Sequence, residues 1–437
     1  MKKTITKVVA LSLIASASLY ATNGDHLIAL GAKARAMGGT GIAVSHGAET
    51  ILSNGSMINT VEGTEITFGG FGFLPVMSSD LTLTNLIFQT ASESAAKFNG
   101  IPEVSIAHKV NDNLHIGVGM FGAAGMGVDY RDTDGQLGNL GMVTSLLIFK
   151  FAFPVAYTTG GLTVSMTPVV AWGVLDMNYA IPGTGNFGSV GSGLSQTFGF
   201  AGNVGMSYDF ASMGMRGLKV GAIYHSSLAM EYADNIEHAT IPFGPSGAGI
   251  DGFPLGRTLE QPAEMGAGFS YTSGEHTLAF DYKFVPWSST EGYGDFLWED
   301  GNVFAMGYRY ETDEYALRFG FNYGKSVVQN VEGGKDNAKL AAINLMNALG
   351  FPATGETHMT AGGTYVINEH FSIDLGLVYM LEKSITFDIG GLVKAPLIDD
   401  LGLVGPVLST LNLDSKGARV TTSHQETSAS GQLVFKF

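Results

Sequence analysis

A handful of residue groups in this chain have types and spacings that could do chemistry. Gly117-Val118-Gly119-Met120-Phe121-Gly122 has the spacing of a dinucleotide-binding glycine turn, whose bare backbone would approach a pyrophosphate at a helix N-terminus. No helical pattern follows it; the surrounding residues alternate as a strand does, so the match is fortuitous. Asp132-Thr133-Asp134-Gly135, with Asp129 nearby, offers hard oxygen ligands for calcium but lacks the twelve-residue ligand set of a calcium loop. Gly244-Pro245-Ser246-Gly247-Ala248 falls one residue short of a nucleophile elbow and is not set between a strand and a helix. The ten histidines are scattered without metal-ligand spacing, and there is no cysteine. No catalytic group, metal or cofactor is therefore expected. What remains is a set of cations, Lys219, Lys283, Arg309 and Arg318, each in a segment of alternating polarity. Such groups could hold a carboxylate, or pair with Asp281, Asp374 or Glu264 opposite them.

The elements that carry these cations are strands. The chain is 45% hydrophobic and only 14% charged, with a mean hydropathy of +0.20, yet beyond its first twenty-odd residues no apolar run approaches the ~18 residues of a membrane helix. Its apolar residues are spread by alternation, as in a membrane β-barrel. Leu278, Phe280, Tyr282 and Phe284 alternate with Thr277, Ala279, Asp281 and Lys283; Tyr315, Leu317, Phe319, Phe321 and Tyr323 alternate with Ala316, Arg318, Gly320 and Asn322. Large apolar side chains are expected to face lipid and small or polar ones the lumen. The last residues, Gln432 to Phe437, show the same alternation and end on an aromatic. A net charge of −16 argues against a nucleic-acid partner.

Fourteen such segments are expected, near 64–74, 99–110, 113–125, 144–158, 161–177, 195–210, 216–232, 258–273, 275–288, 301–312, 314–326, 355–368, 370–389 and 423–437. Short turns such as Asn111-Asp112-Asn113, Thr159-Gly160, Ser273-Gly274 and Thr312-Asp313 alternate with long connections. That rhythm predicts periplasmic turns opposite external loops. The fold class expected is all-β: a fourteen-stranded antiparallel transmembrane β-barrel spanning 64–437. Residues 1–21, with Lys2, Lys3 and Lys7 ahead of an apolar stretch and small residues at Ala17 and Ala21, predict a secretory signal. A barrel this wide is not filled by its own side chains. Residues 22–63, rich in Gly and Ala and beaded with Leu27, Ile28, Leu30, Met37 and Ile42, are expected to plug it as an N-terminal hatch.

The hatch carries a resemblance. Asn23-Gly24, then Gly31-Ala32-Lys33-Ala34-Arg35-Ala36-Met37-Gly38-Gly39-Thr40-Gly41-Ile42-Ala43, then Gly47-Ala48-Glu49-Thr50 and Asn54, is similar to the hatch of FadL-type outer-membrane transporters of long-chain fatty acids and aromatic hydrocarbons. Where that family usually has Asn-Pro-Ala, this chain has Asn54-Gly55-Ser56. The resemblance implies a monomer in the outer membrane of a Gram-negative bacterium, surrounded by lipid and lipopolysaccharide. It also implies passive uptake of a hydrophobic small molecule through loop capture, a greasy lumenal pocket and a lateral exit beside a kinked third strand. Leu27, Ile28 and Leu30 are then candidate apolar contacts, and Lys283, Arg309 and Arg318 candidate headgroup ligands. Gly122, Gly125 and Gly127, in a run of small residues where a strand loses ladder strength, are the candidate kink; small side chains that merely leave lumen space would read the same way. Leu81 to Phe98 and Asp336 to Leu349 are expected as external amphipathic helices, and Leu392 to Leu413 as an apolar external loop. The rival readings are a barrel enzyme, such as a lipase or protease, and a general porin.

Overall fold

A computed structural model describes residues 22–82, 89–131, 139–181, 188–393 and 417–437. The signal-like segment, Asp132 to Gly135 and most of Leu392 to Leu413 lie outside the described residues. The strands join edge to edge into fourteen staves. In chain order these are β1 (Thr64–Phe73, resuming as Val76–Thr82), β2 (Gln89–Glu93 and Asn99–Lys109), β3 (Leu114–Asp129), β4 (Val143–Ala152 and Val155–Thr159), β5 (Leu162–Ile181), β6 (Gly188–Val190 and Ser195–Asp209) and β7 (Leu218–His225). The second half comprises β8 (Glu264–Ser273), β9 (His276–Val285), β10 (Gly301–Glu311), β11 (Tyr315–Gly324), β12 (Thr357–Asn368), β13 (Phe371–Asp388) and β14 (Arg419–Lys436). The breaks in β1 and β4 fall at Pro75 and Pro154, which cannot donate to the ladder. Every neighbouring pair is antiparallel, and β14 pairs back onto β1 from Ser428 opposite Phe73 to Lys436 opposite Glu65, closing the cylinder. Closure removes the sheet edges that lipid could not hydrogen-bond.

The alternation places side chains as expected. In β11, Tyr315, Leu317, Phe319, Phe321 and Tyr323 are exposed on the outer wall, while Ala316, Arg318 and Asn322 are buried inside. The outward aromatics near the strand ends, Tyr157, Tyr271, Tyr315 and Tyr365 at the turn end and Tyr224 and Tyr323 at the other, fit interfacial girdles. β8, β9 and β11 have ten residues each, enough at ~3.3 Å per residue and ~45° tilt to cross the ~25 Å apolar band. β5, with 20 residues, and β13 and β14, with 18 each, rise above it.

Inside the cylinder lies the segment from Asn23 to Val61, most of it buried: a short helix α1 (Ala32–Ala36) and two 3-10 turns, Gly47–Ile51 and Gly55–Thr60. Above it the long connections pack into a cap with its own apolar core. Helix α2 (Ala338–Leu349) belongs to that cap; the Asn337 side chain caps its start by accepting from the Leu340 amide at 3.2 Å. Ile343, Met346 and Leu349 are buried in the same cluster as Trp298, Phe296 and Phe351. Among the described residues of Leu81 to Phe98 the expected helix is not formed. Val76–Thr82 and Gln89–Glu93 are strands instead, paired with each other and, for the first, with β14 from Arg419 opposite Thr82 to Gln425 opposite Val76. A ladder already offered by the tall β14 edge outweighs a weak helical periodicity in a Ser/Thr-rich stretch.

A charge on the outer wall tests the lipid-facing assignment. Phe319→Arg is expected to cost about 2–4 kcal/mol and Tyr315→Arg, near the turn end, only about 0–1 kcal/mol, in reversible folding into lipid vesicles followed by urea titration.

Candidate functional site

A peptide segment inside this cylinder needs hydrogen-bond partners, and the polar inward residues of the staves supply them. Arg35 on α1 donates twice to Glu103 of β2, at 2.9 and 2.5 Å, and its guanidinium lies 3.8 Å from the Phe71 ring centroid. Asp281 of β9 accepts from the Gly41 and Ile42 amides at 2.7 and 2.9 Å. Glu65 of β1 accepts from Ala48 at 2.8 Å, and Thr360 of β12 from Gly38 at 2.9 Å. Gln432 of β14 donates to Glu49 and accepts from the Ala32 amide. Gly38 has φ +68°, and a Cβ there would stand 2.6–2.7 Å from the backbone of Phe321 and Met306, so the tight turn of the hatch presses directly on β10 and β11. In Asn54-Gly55-Ser56 the Asn54 side chain accepts from the Ser56 amide and so caps the second 3-10 turn. A Cβ on Gly55 would come within 2.7 Å of Thr167 on β5.

One seam of the cylinder is incomplete. β2 and β3 pair from Lys109 opposite His115 up to Glu103 opposite Phe121, and there the pairing stops. It is restored only at the top, where the Ala95 amide donates to the Asp129 carbonyl at 2.7 Å and the Asp129 amide to Ser94 at 2.9 Å. Between these points, among the described residues, no backbone bond joins 96–102 to 122–128. The hatch fills the interval: the Gly125 amide donates to the Asp25 carbonyl at 3.1 Å, and His26 bridges to Ala124. On its other edge β3 is bulged, its register with β4 shifting between Gly122 and Ala124. Gly122 and Gly125 thus sit in the window, Gly122 against the Ile101 side chain, while Gly127 at its upper end pairs regularly with Ser145.

A cavity reaches this window at Ala123. Leu27, Ile28 and Leu30 line its hatch side, Val169 its wall and Leu228 its cap side, and Lys150, His225, Glu264 and Lys283 form a polar margin. It has about 80 Å³ open to water-sized molecules, less than the ~150 Å³ that holds a benzene ring. With residues 26–30 in place, the cavity is too small for such a ring. They are latched by the cap. The Asp25 carboxylate, fully buried, accepts from the Tyr293 hydroxyl and, at 2.8 Å, from Gln261, whose carbonyl lies 3.1 Å from His26 Nε2. Tyr293 packs edge-on to Trp287 at 4.7 Å, and Trp287 lies 5.1 Å from the His26 ring. Burial, with the Asp25 carboxylate beside it, holds the Tyr293 phenol well above its ordinary range. Burial also lowers the His26 imidazole, Asp25 only partly offsetting it, so that ring is neutral near pH 7.

Of the residues expected from the sequence, Leu27, Ile28, Leu30 and Lys283 meet in this cavity. Lys283 is paired, with Glu264 at 3.3 Å. Arg309 and Arg318 line a different cavity, on the turn side of the hatch. Lys219 pairs with Asp209 at 3.4 Å, and Asp374 with Lys33 of the hatch at 3.5 Å. Lys150, which sequence reasoning passed over, lines the upper cavity and makes no ion pair among the described residues. Its signal was present: a lone lysine between Phe149 and Phe151 in an apolar strand must turn inward, because a charge facing lipid costs several kcal/mol.

A closed fourteen-stave cylinder with a segment in its bore and a gap in one wall defines an outer-membrane transport barrel. The chain belongs to the outer membrane protein transport protein family (OMPP1/FadL/TodX), whose model matches residues 8–391. It is 24% identical to outer membrane protein P1 of Haemophilus influenzae over 433 residues, covering 86% of this chain and 91% of that one. Its fold is similar to that of the toluene transporter TodX of P. putida, with TM-score 0.62, 16% identity and coverage of 94% of this chain and 99% of that one. The toluene transporter TbuX of Ralstonia pickettii aligns with TM-score 0.57, 18% identity and coverage of 94% and 98%. The protein resides in the outer membrane.

The buried Arg35–Glu103 pair tests how the hatch is held. Arg35→Ala strands Glu103 and is expected to cost about 3–5 kcal/mol, whereas Arg35→Met combined with Glu103→Leu should recover most of that loss. Urea midpoints of the three proteins in detergent provide the comparison.

Proposed function

We propose that this protein is a passive channel for hydrophobic small molecules, with fatty acids as its preferred cargo and lateral release into the membrane as its exit. The observation that carries the reading is the meeting of this cavity, apolar on its hatch side and charged at its margin, with the unpaired stretch between β2 and β3, at a point where hatch residues stand in for the missing strand contacts. Cargo gathers on the apolar cap, displaces residues 26–30 from their latch, occupies the enlarged cavity and leaves past Ile101 and Gly122. No energy source is required. Each methylene gains ~0.8 kcal/mol on leaving water, so a sixteen-carbon tail is driven toward cavity and bilayer by roughly 12 kcal/mol.

Lys150 favours a carboxylate on the cargo. Its unpaired ammonium beside Leu27, Ile28 and Val169 suits an anionic head on an apolar body. A neutral hydrocarbon, the cargo named for TodX and TbuX, would leave it unanswered. The rival porin reading requires an open bore, and a barrel enzyme requires an activated nucleophile; a corked lumen and a cavity with an apolar hatch side speak for a channel of the proposed kind. A large steady ionic current in planar bilayers would reverse that judgement in favour of a porin.

Two experiments test the route and the cargo. A Cβ on Gly122 would lie 3.5 Å from that of Ile101, within disulfide reach, and the chain has no cysteine of its own. Ile101→Cys with Gly122→Cys should abolish uptake when oxidised and regain it on reduction; normal uptake by the fully cross-linked protein would exclude lateral exit. Lys150→Gln should weaken fatty-acid binding by about tenfold, as expected for a lost charge-assisted bond, and leave toluene binding unchanged. Equal losses for both ligands would argue against a headgroup role.

A further inference from the structure

Below the hatch lies a second cavity, of about 380 Å³, between Lys33 and Val44–Gly47 of the hatch and the short-turn end of the staves at Glu311 and Lys436. It has no part in the proposed route, and its charge is unlike that of the protein as a whole. The chain carries a net −16, yet five cations (Lys33, Lys219, Arg309, Arg318 and Lys436) line this cavity against two carboxylates, Glu65 and Glu311. Most of the cations have a partner: Lys33 has Asp374, Lys219 has Asp209, Arg309 has Glu311 at 3.1 Å, and Lys436 lies 3.9 Å from Glu65.

Arg318 does not. It is 2% exposed, makes no ion pair among the described residues, donates from Nη1 to the Thr364 hydroxyl at 2.7 Å, and its buried Nε has no hydrogen-bond partner. Arg309 sits directly opposite it in the β10–β11 register. Two like charges directly opposite on adjacent strands destabilise a sheet, and a buried guanidinium without a direct counter-charge is costly; Arg318 reaches the Asp374 carboxylate only through the Thr364 hydroxyl. An oxyanion in the cavity would remove both penalties, because a guanidinium fork matches carboxylate and phosphate oxygens.

We propose that this cavity is a binding site for a small oxyanion, a carboxylate or a phosphate, entering from the periplasmic side, with Arg318 as its principal ligand and Arg309 and the hatch residue Lys33 alongside. An ion held there bridges the wall to the underside of the hatch and steadies its closed position. The inference rests on the barrel and its charges and stands independently of the transport reading.

Isothermal titration of the purified mature chain in detergent, with sodium acetate and with sodium phosphate at ionic strength held constant by sodium chloride, tests it. Saturable binding of either anion is expected, and which anion binds identifies the chemistry. Arg318→Gln should weaken binding by roughly tenfold to a hundredfold, Arg309→Gln should weaken it as well, and Arg318→Lys, which keeps the charge but not the fork, should fall between wild type and Arg318→Gln. The absence of saturation with both anions, or wild-type affinity in both glutamine variants once each is shown folded by circular dichroism, overturns the proposal.

Discussion

A chain threaded through a sealed cylinder cannot leave its peptide groups to water, and the bonds between hatch and wall answer that constraint. The inward faces of the staves pay for it with carboxylates and amides at set places: Glu103 for Arg35, Asp281 for Gly41 and Ile42, Glu65 for Ala48, and Gln432 for Ala32 and Glu49. Each neutral bond contributes a net ~0.5–1.5 kcal/mol, and each left unmade costs ~1–3 kcal/mol. The hatch therefore behaves as part of the wall, and several polar lumenal residues that resemble substrate ligands, Lys219, Lys283 and Arg309 among them, are already paired.

The same constraint shapes the window. A strand edge unpaired over several residues inside a membrane barrel would be prohibitive, and the gap between β2 and β3 exists because Asp25 and His26 take up the contacts that β2 gives up. Wall and hatch are thereby coupled: a movement that frees residues 26–30 also exposes the β3 edge beside the bulge at Ala123. The latch from Tyr293 and Gln261 to Asp25 extends that coupling upward, so the cap, the hatch tip and the window form one hydrogen-bonded chain.

The hatch also divides the lumen in two. Above it, apolar hatch residues face a cavity with one unanswered lysine; below it, a more open cavity gathers arginines and lysines. Lys283 on β9 and Arg318 on β11 both face inward but at different heights, Lys283 level with Val303 and Gly324 and Arg318 level with Arg309 and Thr277, so the hatch between them gives them unrelated surroundings.

Much of this was legible in the residues. Alternation in segments such as Tyr315 to Tyr323 determines which side chains meet lipid, because a strand has a period of two and a charge in lipid is costly. The glycine and alanine run from Gly31 to Ala43 marks the hatch, and the crowding of small residues after Gly117 marks a weak strand. Periodicity specifies a face and says nothing of height, so it could not separate Lys283 from Arg309 and Arg318 across the hatch. Nor could it see that Leu81 and its neighbours would be drawn into strand by the tall β14, or that Lys150 would be left without a partner. Those outcomes, and the seam at which the cylinder stays unzipped, were decided only by tertiary structure, because they depend on which distant segment arrives opposite each strand edge when the barrel closes around its cork.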